Sequence, residues 1–179
     1  PPHLSVRAIE IKDDDWLLTI TGSSQPLEPN NQGIMAREIL ELLKEHQVRE
    51  LIVLAGMVDE TLSKEIFIVP SSSSYRVDLE SKGAIVRRDE PSSGAIGMAA
   101  LLSSLGPVYG MHSACAIATT IGSSGDILAS QNLLLALDQW FEFDLVIPDD
   151  ANQKLIEKLN DLSPKNKSCL LYTSDAADE

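Results

Sequence analysis

The sequence has 179 residues, which suits one ordinary globular domain or at most two small ones. Lys and Arg number 14 against 27 Asp and Glu, so the formal net charge is −13. This acidity argues against nucleic acid as a partner, because binding to phosphate backbones depends on Lys and Arg, and it disfavours docking on anionic membranes. The longest apolar runs fall far short of the ~20 residues that a membrane-spanning helix needs.

Both ends of the chain are interpreted as departures from a natural protein. Because the chain starts at Pro1 without an initiator Met, we expect an N-terminally truncated fragment. Residues 169–179, CLLYTSDAADE, read as a translated sequencing-library adaptor, with a natural acidic tail as the alternative. We therefore expect a single α/β domain at residues 1–168 and an artefactual tail at 169–179. Only Cys115 lies inside that domain, so we expect a reducing location, the cytoplasm and also the nucleus.

The first half of the chain predicts a hairpin, a helix and a buried strand. Residues 4–12 and 16–24 have the apolar alternation and β-branched content of two paired strands. A helix follows, with Met35, Ile39, Leu42 and Leu43 at helical spacing along its buried side. Residues 51–57, LIVLAGM, form an uninterrupted apolar run that is typical of a strand buried on both faces. This order predicts a layered α/β domain.

The second half predicts more helices and a second central strand. Residues 59–82 are expected to form a mobile excursion in which Ile66–Val69 can be a short strand, because a low-complexity serine stretch typical of a linker follows Pro70. Residues 95–105 predict a helix. Residues 114–117, dense in small side chains, predict a strand of a mixed sheet that is closely covered by helices. Further helices are predicted at 126–140, begun by an Asp cap, and at 148–162.

No catalytic constellation, metal site or cofactor site is predicted. His112 and Cys115 stand three residues apart, a spacing that places them on opposite faces of a strand and supplies too few ligands for structural zinc. Gly94 to Gly97 and Gly122 to Gly125 each precede a helix, where free amides can bind an anion. Neither loop has a dinucleotide-binding pattern or a Walker lysine, so tight turns are the simpler interpretation.

The helix at residues 127–141 is apolar around most of its circumference. Such a helix is either central to its own domain or shared with another protein. We expect it to contribute partner-binding residues, with ordinary core packing as the alternative: Leu133, Leu137, Trp140 and Phe141.

Four features follow one another in the later half: a loop ending near glycine at 91–96 (PSSGAI), a helix with Leu101 and Leu102, a small apolar strand at 114–118 (ACAIA), and a turn that opens the Leu-rich helix at 125–140. The first half adds two strands and a helix that ends before residues 48–54 (VRELIVL). Over about residues 4–162, this order resembles the proteasome assembly chaperone 2 family.

The resemblance implies a three-layer α/β/α sandwich with a mixed sheet, of the phosphorylase/hydrolase-like kind, and a protein that is not an enzyme. It implies a chaperone that heterodimerises with proteasome assembly chaperone 1 and scaffolds the ring of 20S proteasome α subunits. The alternative is a small-molecule enzyme on the same kind of fold, handling nucleosides or phosphate at the Gly94 and Gly122 loops. A cluster of His, Arg and carboxylate side chains beside those loops would favour the enzyme.

Overall fold

The computed structural model describes residues 4–11, 15–58, 64–87, 97–120, 122, 126–145, 150–151 and 153–154. The chain divides into two compact units, Pro1–Val146 and Ile147–Glu179. In the second unit, residues 151, 153 and 154 are helical after a turn at Asp150, and the Lys154 amide donates to the Asp150 carbonyl at 3.0 Å. Most of the helix predicted at 148–162, and all of the predicted adaptor segment at 169–179, lie outside the described residues.

The first unit begins with the predicted hairpin. Strand β1 (Leu4–Glu10) pairs antiparallel with β2 (Trp16–Gly22), and Val6 lies opposite Ile20. Opposite residues of an antiparallel pair share a face, so the alternation places the apolar residues of both strands together. On that face Leu18 and Ile20 pack against the following helix, which attaches the hairpin to the rest of the unit.

Helix α1 (Pro29–Glu45) is close to its prediction but turned slightly about its axis. Pro at the start suits the first helical turn, where a backbone amide has no partner within the helix. Ile39 and Leu43 are buried as predicted, together with Ala36 and Leu40. The expected burial of Leu42 is wrong: its side chain is 36% exposed, because the buried side of the helix is centred on Ala36, Leu40 and Leu43.

Three strands form a mixed sheet, which confirms the predicted α/β class. They are β3 (Glu50–Val58), β4 (Ile66–Pro70) and β5 (His112–Thr120), in the order β3-β5-β4. β3 runs parallel to β5, and β4 runs antiparallel to it. β5 is central, as predicted. β3 is a strand as predicted, but it borders the sheet among the described residues, so the expectation that it is buried on both faces is wrong.

The excursion predicted at 59–82 contains a helix after its short strand, so the expectation of a linker is wrong for its described part. Helix α2 (Ser73–Ser81) begins directly after the serine run. The Ser72 hydroxyl accepts a hydrogen bond from the Tyr75 amide at 3.2 Å, which satisfies one of the free amides of the first turn. Tyr75 and Leu79 are then buried one turn apart on the inner side of the helix. The serines form a cap rather than a linker.

A short helix and a tight turn lead into β5. Helix α3 (Met98–Leu105) is followed by a 3-10 turn (Gly106–Tyr109). The buried Ser113 hydroxyl donates to the Ser103 carbonyl at 2.6 Å and so ties α3 to β5. A Cβ on Gly106 would lie 2.5 Å from the Ser113 Cβ, so the turn approaches the strand more closely than any other residue allows.

Helices pack on β5 through alternating side chains. Ala114, Ala116 and Ala118 form one cluster with α2 and with the last helix of the unit, α4 (Ile127–Phe141). Cys115 and Ile117 point to the other side, into a cluster that Ala99 of α3 contacts. Small side chains on the first side let α4 lie close to the sheet, because an alanine adds only a methyl group between the backbones.

Candidate partner-binding surface

Helix α4 carries all four residues that the sequence singled out for partner binding. Asp126 begins it as predicted: one carboxylate oxygen accepts from the Ala129 amide at 3.0 Å. The helix ends where Glu142 adopts the left-handed conformation. Ala129, in the first turn, is buried and packs in the cluster that contains the β5 alanines.

The structure brings the four residues together on the inside of the unit. Leu133, Leu137 and Trp140 are only 8, 7 and 4% exposed, and they pack in the cluster that contains the β5 alanines. Phe141 is partly buried, with its ring stacked on Phe143 at 5.6 Å between centroids. This placement favours the core alternative for Leu133, Leu137 and Trp140. The partner contact itself stays a prediction.

The outer face of α4 presents leucines that the sequence interpretation did not select. Leu128 and Leu135 are about half exposed, and Leu134 is slightly less so. No Asp, Glu, Lys or Arg occurs between Ile127 and Leu137. Periodicity alone does not reveal this face, because apolar residues surround the helix. In the structure, the buried residues Ala129, Leu133, Leu137 and Trp140 follow one stripe at helical spacing, and Leu128 and Leu135 fall outside it.

A second feature lies where β5 ends and α4 begins. The second Asp126 carboxylate oxygen accepts hydrogen bonds from the Lys64 ammonium and, at 3.1 Å, from the Thr120 hydroxyl. The hydrogen bond from Lys64, together with those from the Ala129 amide and the Thr120 hydroxyl, lowers the pKa of Asp126 to about 2. Next to Lys64, Glu65 pairs with Arg87.

Each charge in this cluster therefore already has a partner. The Asp126 carboxylate is stabilised in its ionised form. Through its ion pair with Lys64, it joins the residues just before β4 to the start of α4. The cluster lies beside Gly122, one of the two loops named for the enzyme alternative. Its ion pairs join the segment before β4 to the start of α4 and to Arg87, which is a structural role.

The two glycine loops are used within the chain where they are described. The Met98 amide at the start of α3 donates to the Gln25 side-chain oxygen at 3.1 Å, next to Gly97. The Gly122 amide donates to the Thr120 hydroxyl at 3.3 Å. Gly94 lies outside the described residues. These bonds favour tight turns into packed helices over anion sites.

His112 and Cys115 are placed as the strand spacing predicts. The His112 ring stacks on Tyr75 with centroids 5.2 Å apart, on the α2 side of the sheet. Cys115 belongs to the cluster on the opposite side, and burial raises the pKa of its thiol to about 11. A thiol that stays protonated and a ring on the other face cannot act together as a nucleophile and base.

Tyr75 also anchors a cluster at the other end of the sheet. Its hydroxyl donates to the Glu50 carboxylate at 3.2 Å, and the Lys82 ammonium lies 3.4 Å from the same oxygen. Burial, followed by the charge of Glu50, raises the pKa of the Tyr75 phenol. Burial tends to lower the pKa of Lys82, but Glu50 and Asp78 outweigh it, so the net direction is upward. This cluster, too, is paired within itself.

An apolar groove of about 210 Å³ lies where the hairpin packs against α1. Side chains from both elements line it: Val6, Leu18, Ile20, Leu42, Leu43 and His46. Across the described ranges, no three His, Cys, Asp or Glu side chains converge as metal ligands. The described helices also include none with the length and apolar character needed to cross a bilayer.

Three solved structures share this fold. PbaA of Pyrococcus furiosus, an archaeal homolog of proteasome-assembly chaperone, is 23% identical over 77% of this chain and 60% of its own, with a TM-score of 0.64. PbaB of the same organism, an archaeal proteasome activator, is 22% identical over 89% and 69%, with a TM-score of 0.71. A proteasome-assembly chaperone homologue of Mycobacterium tuberculosis is 12% identical over 93% and 70%, with a TM-score of 0.63.

This chain thus spans 60% of the length of PbaA. No curated protein sequence matches it at a significant level. The model of the PAC2 family, in contrast, matches residues 1–162, nearly the whole sequence before the predicted adaptor segment. The chain belongs to the PAC2 family.

Proposed function

We propose that this protein is a non-catalytic chaperone of proteasome assembly. The observation that carries the proposal is the family match over residues 1–162, supported by the fold shared with the archaeal and mycobacterial chaperone homologues. No specific observation favours the small-molecule enzyme.

In its finer form, the proposal is that the protein heterodimerises with proteasome assembly chaperone 1 and scaffolds the ring of 20S proteasome α subunits in the cytoplasm and nucleus. The net charge of −13 supports protein partners over nucleic acid and anionic membranes. The exposed, uncharged leucines of α4 support a protein contact, because apolar side chains without neighbouring charges are cheap to desolvate.

The experiment is co-expression of this chain with proteasome assembly chaperone 1 and the α subunits of the same organism, followed by native mass spectrometry. The expected result is a complex of the two chaperones and a second complex that also contains α subunits. A matched expression without this chain should yield fewer α rings. Equal ring yields, with no complex that contains this chain, would refute the proposal.

A further inference from the structure

The groove where the hairpin packs against α1 continues onto exposed apolar side chains. Two of the residues that line it, Val6 and Leu42, are 49% and 36% exposed. Trp16 is 61% exposed and lies on the hairpin face that lines the groove, because side chains two apart along a strand share a face. Contiguous apolar surface of this kind is typical of an interaction site. We call the groove, together with Trp16, the hairpin groove.

Carboxylates flank the hairpin groove on α1. Glu38 and Glu45 are exposed, and they lie about 40° and 60° from Leu42 around the helix, on its solvent side. The basic residues of the same helix lie elsewhere: Arg37 and Lys44 are roughly 140° and 160° from Leu42. The side of α1 that borders the groove is therefore acidic, although the helix as a whole carries both signs of charge.

The charges of the hairpin divide in the same way. Glu10 lies opposite Trp16 in the register and shares the face of Val6. Arg7, the basic residue of β1, is next to Val6 in the strand and so lies on the other face. In the described residues of β1, β2 and α1, the groove side thus has the carboxylates of Glu10, Glu38 and Glu45 along its rim and neither Lys nor Arg.

An apolar floor with an acidic rim is complementary to an apolar segment that carries cations. We propose that the hairpin groove binds a short peptide segment of a partner protein, in which apolar side chains are flanked by Lys or Arg. The apolar side chains lose water in the groove, and the flanking cations pair with the rim carboxylates. A segment flanked by Asp or Glu is repelled by the same rim. The inference stands on the residues of the groove and does not depend on the proposed function.

The test uses the full chain and a fluorescein-labelled peptide, capped at both ends, in which leucines are flanked by lysine and arginine. Fluorescence anisotropy at low ionic strength gives the dissociation constant. Val6→Thr with Leu42→Gln keeps residues that suit a strand and a helix, and should weaken binding at least fivefold by removing apolar contact. Glu38→Gln with Glu45→Gln should weaken it about threefold to tenfold. Ile34→Gln, at an exposed position of α1 outside the groove, should change it less than twofold.

Two further peptides separate the apolar and the charged contributions. One has serines in place of the leucines, the other has glutamines in place of the cations, and each should bind at least fivefold more weakly than the first. If the first peptide does not bind, or binds wild type and groove variants equally, the site is refuted. Equal binding of the serine peptide would refute the apolar groove, and equal binding of the glutamine peptide would refute the basic character of the partner. Urea midpoints identify any variant that fails to fold, and the co-expression result tests the proposed function separately.

Discussion

Two leucines on α4 offer a direct comparison of buried and exposed positions. Leu137 is 7% exposed and packs in the cluster beneath the sheet, whereas Leu135, two residues earlier, is 50% exposed. Both lie in the same helix and carry the same side chain, so their replacement by Ala removes the same atoms. Helix propensity also changes equally in the two variants, and only the surroundings of the side chain differ.

The expected costs follow from burial. Burying a leucine stabilises a protein by roughly 1.5–3 kcal/mol, and truncation in a packed core adds a cavity cost, for a total of about 2–5 kcal/mol. We expect Leu137→Ala to lower the free energy of unfolding by about 3 kcal/mol. Leu135 loses only about half of the transfer contribution and leaves no enclosed cavity, so Leu135→Ala should cost less than about 1 kcal/mol.

Urea denaturation followed by circular dichroism measures both values. With a slope near ~2 kcal/mol per molar urea, the midpoint should fall by about 1.5 M for Leu137→Ala and by less than about 0.5 M for Leu135→Ala. Equal shifts, or a larger shift for Leu135→Ala, would refute the placement of Leu137 on the buried side of α4. The orientation of the whole helix, including the outward leucines, would then be wrong.

Three further predictions concern single positions. Gly106→Ala should destabilise the protein by about 1–3 kcal/mol, because its Cβ would lie 2.5 Å from the Ser113 Cβ, whereas Gly33→Ala, in open space within α1, should be neutral or stabilising. Urea midpoints compare the two variants, and equal effects would contradict the close approach of Gly106 to Ser113. Burial raises the pKa of the Cys115 thiol to about 11, so at pH 8 it should react with iodoacetamide ~100-fold more slowly in the native protein than in urea. The alkylated tryptic peptide that contains Cys115 measures both rates, and similar rates would refute the burial of the thiol. The Asp126 carboxylate has a pKa of about 2 in the folded protein against an ordinary 3.8, so the stability that its ionised form gives the fold is present above about pH 4 and is lost as the pH falls through 2. The difference in unfolding free energy between wild type and Asp126→Asn should shrink over that range. A constant difference would contradict the hydrogen bonds assigned to the carboxylate.

Local signals in the sequence predicted those elements whose cause is local. Asp126 satisfies the amide of Ala129, three residues away, and the start of α4 is where the sequence placed it. The small residues around Ala116 indicated a strand closely covered by helices, and β5 is such a strand. In the same way, the alternation of the first two strands predicted the hairpin, because the period of two directly decides which side chains share a face.

Features that depend on distant contacts could not be predicted in this way. The apolar run at 51–57 has the composition of a central strand, but whether it is covered depends on which elements lie over it, and that information is not in the run itself. The serines before Tyr75 suggested a linker by composition, although Ser72 is a helix cap. On α4 the apolar residues surround the helix, so periodicity alone could not show that Leu137 faces inward and Leu135 outward.

The distribution of charge and apolar surface also indicates how this protein should respond to mutation. In the described part of the chain, the carboxylates of Asp126 and Glu50 hold loops and helix ends in place by pairing with Lys64 and Lys82. Their loss should therefore lower stability first and binding only as a consequence. Leu54 and Val58 on β3 have the opposite property: their side chains are more than half exposed, so polar replacements there remove little internal packing. A binding protein of this kind should lose partner affinity and stability at different positions, whereas an enzyme would lose activity at its paired charges.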